Sequence, residues 1–419
     1  SAKKVKAPKL EIFSAQLKGS GEREISTTMA LVRMLTALVR DKNMGSHIVP
    51  IVPDEARTFG MEGMFRQIGI YSSVGQLYTP QDADQLMYYK EDQNGQILQE
   101  GINEAGAYCS WLAAGTAYTN HDVQMIPFYI FYSMFGFQRI GDFAWAGGDL
   151  QARGFVIGGT AGRTTLAGEG LQHQDGHSQL IATTIPNCRA YDPCFAYELA
   201  VIVQDGLRRM HEEQENIFYY ITCMNENYVH PAIPDGVEAG ILKGAYPLQT
   251  SNQKGVFVQL LGSGTILREV LAAAEILDNE FNVLANVWSV TSFSELRRDA
   301  LDVERWNERH PSKKPRKSYV SECLSETSGP FIAATDYMKT VPDQIRQWVP
   351  GRYVVLGTDG FGRSDSREAL RSFFEVDRHS IVLSALKALV DDGELEKKVV
   401  LQAIDKFGID SEKPNPVTL

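Results

Sequence analysis

Residues Leu98–Asp142 read LQEGINEAGAYCSWLAAGTAYTNHDVQMIPFYIFYSMFGFQRIGD. The first part, expected as a helix over 105–118, is built almost entirely from Ala, Gly, Cys, Trp and other uncharged residues, with one carboxylate, Glu104, at its mouth. The second part, 124–131, is an aromatic, strand-like run. A helix that feeds an apolar strand is the repeating unit of α/β architecture. An acid that starts so apolar a helix has little water to ionise into, which suits it to proton handling. The positive end of the helix macrodipole also favours an acid in a first turn, and spacing alone leaves both readings open.

Working outward, the same alternation fills the chain. Its 419 residues predict two or three domains. Upstream, Ser26–Arg40 reads as a helix with Ser26 as N-cap, and His47–Val52 as a strand. Downstream come apolar runs at 155–157 and 180–190, a helix over 194–213 and a strand over 217–223. A stretch rich in Pro, Gly and polar residues, 231–254, reads as an interdomain linker. A second block then begins, with strands at 255–261, 283–290, 331–334 and 353–356, helices at 266–277 and from Ser294, and amphipathic helices from Ile381 to the C-terminal end. The expected fold is α/β, with two doubly wound domains over 25–230 and 255–419 and mainly parallel sheets. Residues 1–24 are expected to be linker, being basic without the apolar core of a signal peptide.

Composition narrows the function. A net charge of −11 argues against a general nucleic-acid surface, and the one basic cluster, KKPRK at 313–317, is interrupted by Pro315 and reads as a solvated loop. No apolar run reaches the length of a membrane span. Five cysteines without a CxxC pair support neither a zinc knuckle nor a disulfide framework, and a reducing compartment is expected.

Few clusters can carry chemistry. In PDEARTFGMEG, 53–63, Asp54 and Glu55 follow a strand directly, where α/β sheets present ligands; helix capping by Asp54 is the competing reading. The glycine-rich run 154–178 collects Arg163, Glu169, His173, Asp175 and His177, as a loop lining a site does. A metal held by His173, Asp175 and His177 is one alternative, and proton handling or substrate contact by His173 the preferred one. LGSGTIL, 261–267, lacks the third glycine of a dinucleotide motif and the lysine of a P-loop, and reads as a tight turn. Cys109 has no base near it in sequence and is expected to be a buried thiol.

The motifs PDEARTFGMEG, QEGINEAGA, IPFYIFYSMFGFQRIGD, GRTTLAGEGLQHQDGHS, MNENY, SVTSF and LGTDGFGRSDSRE, in that order, resemble the bacterial homodimeric-type pyruvate dehydrogenases. These are the decarboxylating, acetyl-transferring component of the pyruvate dehydrogenase complex, and the resemblance covers nearly the whole chain. It implies a transketolase-like pyrimidine-binding domain followed by a smaller C-terminal domain concerned with dimer contact. It also implies thiamine diphosphate and Mg2+ as cofactors. The family's diphosphate-binding domain lies upstream, and this chain shows no GDG with the following Asn motif, so the metal ligands are expected outside it. By the same resemblance, Glu104 hydrogen-bonds the pyrimidine ring and switches a proton there, and Phe135 packs against that ring. Asp54 and Glu55 lie close to the aminopyrimidine, while Tyr132, Glu169 and His173 surround the substrate. The loop 357–368 either faces the site entrance or serves loop packing.

Expected partners are a second copy, a diphosphate-binding domain or subunit, the lipoyl acyltransferase component and pyruvate, with no nucleic acid and no membrane; the expected location is the cytoplasm. The isolated chain is expected to bind cofactor weakly and to be inactive. The alternative is a catalytically inactive dimeric scaffold that retains the family fold. A dry acid at Glu104 weighs against it, because burying a charge without use is costly. Transketolase-type sugar transfer is the weakest reading.

Overall fold

A computed structural model describes residues 4–53, 56–166 and 170–419. They form two compact units: Ser1–Ala161 with Ile181–Ala190 and Phe195–Pro234, and Gly162–Leu180 with Tyr191–Cys194 and Asp235–Leu419.

The first unit is built on a six-stranded sheet. Its strands are β1 (Ile48–Val52), β2 (Leu98–Gln99), β3 (Ile126–Tyr132), β4 (Phe155–Gly159), β5 (Cys188–Tyr191) and β6 (Phe218–Thr222), in the order β2-β1-β3-β4-β6-β5. The pairings of β1 with β2 and β3, of β3 with β4 and of β4 with β6 are all parallel. Strand β3, IPFYIFY, is buried at every position but its last, because a central strand of a parallel sheet is covered on both faces. It starts two residues later than the sequence pattern places it. Gln124 instead turns its amide to His211, donating to the carbonyl at 3.1 Å and meeting Nδ1 at 2.9 Å.

Helices α1 (Thr27–Leu38), α2 (Glu104–Asn120), α3 (Gly136–Asp149) and α4 (Ala196–Leu207) belong to this unit. Ser26 caps α1 as expected, its hydroxyl accepting from the Met29 N–H at 3.0 Å. Helix α2 packs on β3 and β1, and Trp111 donates from Nε1 to the Phe155 carbonyl at 3.0 Å. Helix α4 does not run to residue 213 in α form. Its last turn, Arg208–Glu212, widens into a π-helix, and His211 within it is fully buried. Burial lowers that imidazole's pKa from 6.5 to about 3, with Arg153 and His47 adding to the shift.

The second unit holds a five-stranded sheet of β7 (Tyr246–Gln249), β8 (Val256–Gly262), β9 (Val283–Ser289), β10 (Phe331–Ala334) and β11 (Tyr353–Leu356), ordered β7-β9-β8-β10-β11. The last four strands in that order are mutually parallel, and β7 lies antiparallel on the edge beside β9, with a register shift between Pro247 and Gln249. Helix α5 (Ile266–Phe281) packs on β8 and β9, and α7 (Arg378–Asp391) packs on α5, β10 and β11. Helices α6 (Phe293–Arg309) and α8 (Lys397–Phe407) complete the layers.

Three stretches differ from their sequence reading. Residues 1–24, expected to be linker, carry a 3-10 helix, Leu10–Phe13, and a short helix, Ser14–Leu17, and belong to the first unit, where Val5, Ala7 and Phe13 are buried. Residues 231–254 carry a short helix, Glu238–Lys243, ended by Gly244 at φ +108°, and then strand β7. Within it Ile241, Ala245 and Tyr246 are buried, so composition alone understated its order. The run 180–190 divides into a short helix, Ser178–Ala182, and strand β5, with Pro186 between them.

Candidate active site

Glu104 is the first residue of α2. The preceding Asn103 caps that helix, its Oδ1 accepting from the Gly106 N–H at 3.0 Å, which holds the Glu104 backbone in place. The side chain of Glu104 is only 11% exposed, so the dryness expected of it holds. Its isolation does not. Arg139 Nη1 donates to Glu104 Oε1 at 2.8 Å, and the same guanidinium lies over the Phe135 ring at 4.3 Å. From the middle of β3, Tyr129 donates its hydroxyl to the Glu104 carbonyl at 3.4 Å. Burial, reinforced by the Glu104 charge, pushes that phenol's pKa well up, so it stays a neutral donor.

The chain places these groups by its helix-to-strand order. Strand β3 ends at Tyr132, a 3-10 turn spans Ser133–Phe135, and α3 begins at Gly136. Tyr132, Phe135 and Arg139 therefore follow one another at the carboxyl end of a central parallel strand, the usual ligand position of an open α/β sheet. The Tyr132 ring meets Phe135 edge-on at 6.2 Å and Phe59 at 5.5 Å. Arg139 was missed by a sequence reading that looked for acids and aromatics. Its signal was present, since it stands four residues beyond Phe135 at the start of a helix, and such pairs share a face.

His173 belongs to the second unit, whereas Glu104, Tyr132 and Phe135 belong to the first. It closes a 3-10 turn, Leu171–His173, and is half-buried. Asp175 serves its neighbours. Its Oδ1 accepts from the N–H groups of His177 and Ser178, each at 3.0 Å, and its Oδ2 accepts from the Ser178 hydroxyl. The alternative of a metal on His173, Asp175 and His177 thus loses its carboxylate. Among the described residues no group of three or more His, Cys, Asp or Glu is placed to hold a metal ion. Asp54, Glu55 and Glu169 lie outside the described residues.

Two smaller readings resolve. Cys109 is exposed, not buried, because the covered face of α2 is formed by Tyr108, Trp111, Ala114 and Gly115, and Cys109 points off it. In LGSGTIL, Gly262 sits where a Cβ would come within 2.8 Å of the Leu267 backbone, the close packing of a tight turn.

Comparison with known proteins bears on both units. Residues 6–231 match the family described as pyruvate dehydrogenase E1 component middle domain, and residues 244–377 match the transketolase-like TK C-terminal domain. The pyruvate dehydrogenase E1 component of Pseudomonas aeruginosa is 68% identical over 415 residues, an alignment covering 99% of this chain and 47% of that protein. The Escherichia coli K12 protein of the same description is 59% identical over 415 residues, with 99% and 46% covered. The chain thus spans about half the length of the curated relatives it matches. Transketolase from Leishmania mexicana shares the fold, with a TM-score of 0.65 at 16% identity over 90% of this chain and 47% of that one.

Proposed function

The chain belongs to the pyruvate dehydrogenase E1 component family, and from that premise we propose that it is the pyrimidine-side half of a thiamine-diphosphate-dependent pyruvate dehydrogenase. Combined with a diphosphate-binding domain, it decarboxylates pyruvate and reductively acetylates a lipoyl group. The observation that carries this reading is the dry carboxylate of Glu104, on the first turn of a helix capped by Asn103 and joined through Arg139 to the Phe135 ring.

The donor set fits one end of the cofactor. A buried carboxylate suits a weakly basic ring nitrogen, and an aromatic face suits a flat heterocycle. The Mg2+ ligands are assigned to the diphosphate-binding domain, as the family resemblance implies. When bound, thiamine diphosphate supplies the carbanion chemistry. The protein's part is proton control and placement. Glu104 would hold a proton against the pyrimidine ring and give it back, and the Asn103 cap fixes the helix turn that carries it. Phe135 would present its ring to the heterocycle, and Arg139 touches both groups from the half-exposed side. Tyr132, His173 and Glu169 orient the keto acid and stabilise the charge that develops on it; Asp54 and Glu55 are assigned beside the aminopyrimidine. The working assembly is a homodimer that hands its acetyl group to the lipoyl acyltransferase component in the cytoplasm. Among the described residues no helix is long and apolar enough to cross a membrane.

Calorimetric titration of thiamine diphosphate and Mg2+ into this chain alone, and then into its mixture with the diphosphate-binding half, tests the proposal. The lone chain is expected to bind weakly, at about millimolar or worse, and the mixture at least about a hundredfold more tightly. Tight binding by the lone chain would sink the half-site reading.

A further inference from the structure

The stretches 162–166 and 170–178, which flank Glu169 and contain His173, are tied into the second unit by an unusually complete set of polar contacts. Asp336 lies two residues beyond β10, at that strand's carboxyl end, and is fully buried. Its carboxylate takes four donors. Oδ1 accepts from the Thr164 N–H at 2.8 Å and the Thr164 hydroxyl at 2.7 Å, and Oδ2 from the Thr165 N–H at 3.1 Å and the Thr165 hydroxyl at 2.5 Å.

Arg163 reaches the other way. Its Nη1 donates to the carbonyls of Thr358, at 2.7 Å, and Gly360, while its own N–H donates to the Asp336 carbonyl at 3.2 Å. Arg367 Nε donates to the Thr165 carbonyl at 2.6 Å. Nearer His173, the Arg363 N–H donates to Gln174 Oε1 at 2.7 Å, and the Met338 N–H to the Gly176 carbonyl at 2.7 Å.

Two glycines make the approach possible. A Cβ on Gly162, which has φ +88°, would run into the Asp336 carboxylate, and one on Gly176 would run into the Arg163 guanidinium. Four donors saturate the carboxylate, so Asp336 has no acceptor site left for a ligand. It can act only through what it holds.

We propose that Asp336 and Arg163 are positioning residues for turnover, clamping 162–166 and 170–178 to the second unit and so setting the place of His173. The inference rests on the role proposed above for His173, and two readouts separate the two. The first needs no activity. Backbone hydrogen exchange is followed on the full chain, for the parent and for Asp336→Asn, which replaces two of the four acceptor sites with donors, and Arg163→Lys, which keeps the charge but loses the planar fork. Both variants are expected to exchange at least about tenfold faster at residues 163–165 and 171–178, while the strands β8 and β10 stay within about twofold of the parent. Unchanged exchange in the loop, or equal acceleration in the strands, overturns the clamp.

The second readout is a double-mutant cycle in the chain combined with its diphosphate-binding half. Arg163→Lys is expected to lower kcat about tenfold in the parent background, with KM for pyruvate changed less than kcat, and by less than about twofold once His173→Ala is present. Additive losses would show that the clamp acts on something other than His173. If His173→Ala alone leaves kcat unchanged, the role of the loop in turnover is overturned, whereas the exchange data still decide the clamp.

Discussion

Glu104 and Asp336 are both buried carboxylates beside parallel strands, and their surroundings differ in kind. Asp336 receives four hydrogen bonds from two adjacent threonines, none from solvent. Among the described residues Glu104 has one side-chain partner, Arg139, whose own side chain is 50% exposed and can be displaced at little cost. A carboxylate saturated with fixed donors is part of the framework, because nothing can be added without breaking something else. A carboxylate held dry by one exchangeable partner is available for chemistry. Burial alone does not tell the two apart; the number and mobility of the partners does.

The comparison predicts opposite consequences for mutation. Glu104→Gln, in the chain combined with its diphosphate-binding half, is expected to lower pyruvate decarboxylation by at least about a hundredfold, the usual scale for losing a proton-transfer group. Its melting temperature should stay within a few degrees, and unchanged turnover would break the assignment. Asp336→Ala should show the reverse order. Removing it strands four donors and leaves Arg371, which reaches the same threonine hydroxyls at 3.3 and 3.4 Å, with Glu269 at 3.8 Å as its remaining counter-charge. A loss of roughly 3 kcal/mol is expected in denaturant unfolding. A loss below about 1 kcal/mol would mean that the four contacts count for little.

His211 extends the contrast to a buried base with no counter-ion. Its folded pKa of about 3 lies below the unfolded 6.5, so its contribution to stability is present above pH 6.5 and is lost as pH falls toward 3. Between pH 6.5 and 5 that amounts to about 2 kcal/mol. His211→Gln should flatten the pH dependence of the unfolding midpoint over this window, and an unaltered slope would show that other groups control it. The smallest effect is expected at the exchangeable partner. Arg139→Ala should change stability by less than about 1 kcal/mol, as half-exposed pairs do, and weaken cofactor binding several-fold by releasing Glu104 and Phe135. A large loss of stability would place Glu104 with Asp336 after all.

Much of this was legible in the chain. The strands Phe331–Ala334 and Tyr353–Leu356 begin and end where their apolar runs do, and Ser26 caps the helix it was expected to cap. Glu104 was found because its neighbours along the chain decide its dryness. Arg139 and Asp336 were not found, since each matters through a partner 35 and 171–172 residues away. The sequence reading weighed Asp54 and Glu55 for standing at a strand's carboxyl end and passed over Asp336 in the same kind of position, because the threonines that hold it lie far away along the chain.

Local order therefore came from the chain itself. Apolar periodicity, caps and turn residues act over a few positions, and they settle which segments are strands, which are helices, and that the architecture is α/β. Tertiary structure alone decided that 162–180, which lies within the first domain by sequence, belongs to the second compact unit. It alone decided, too, which buried acid is saturated and which keeps a single exchangeable partner. The reason is physical: hydrogen-bond saturation is a property of atoms brought together from distant parts of the chain, and no local pattern encodes it.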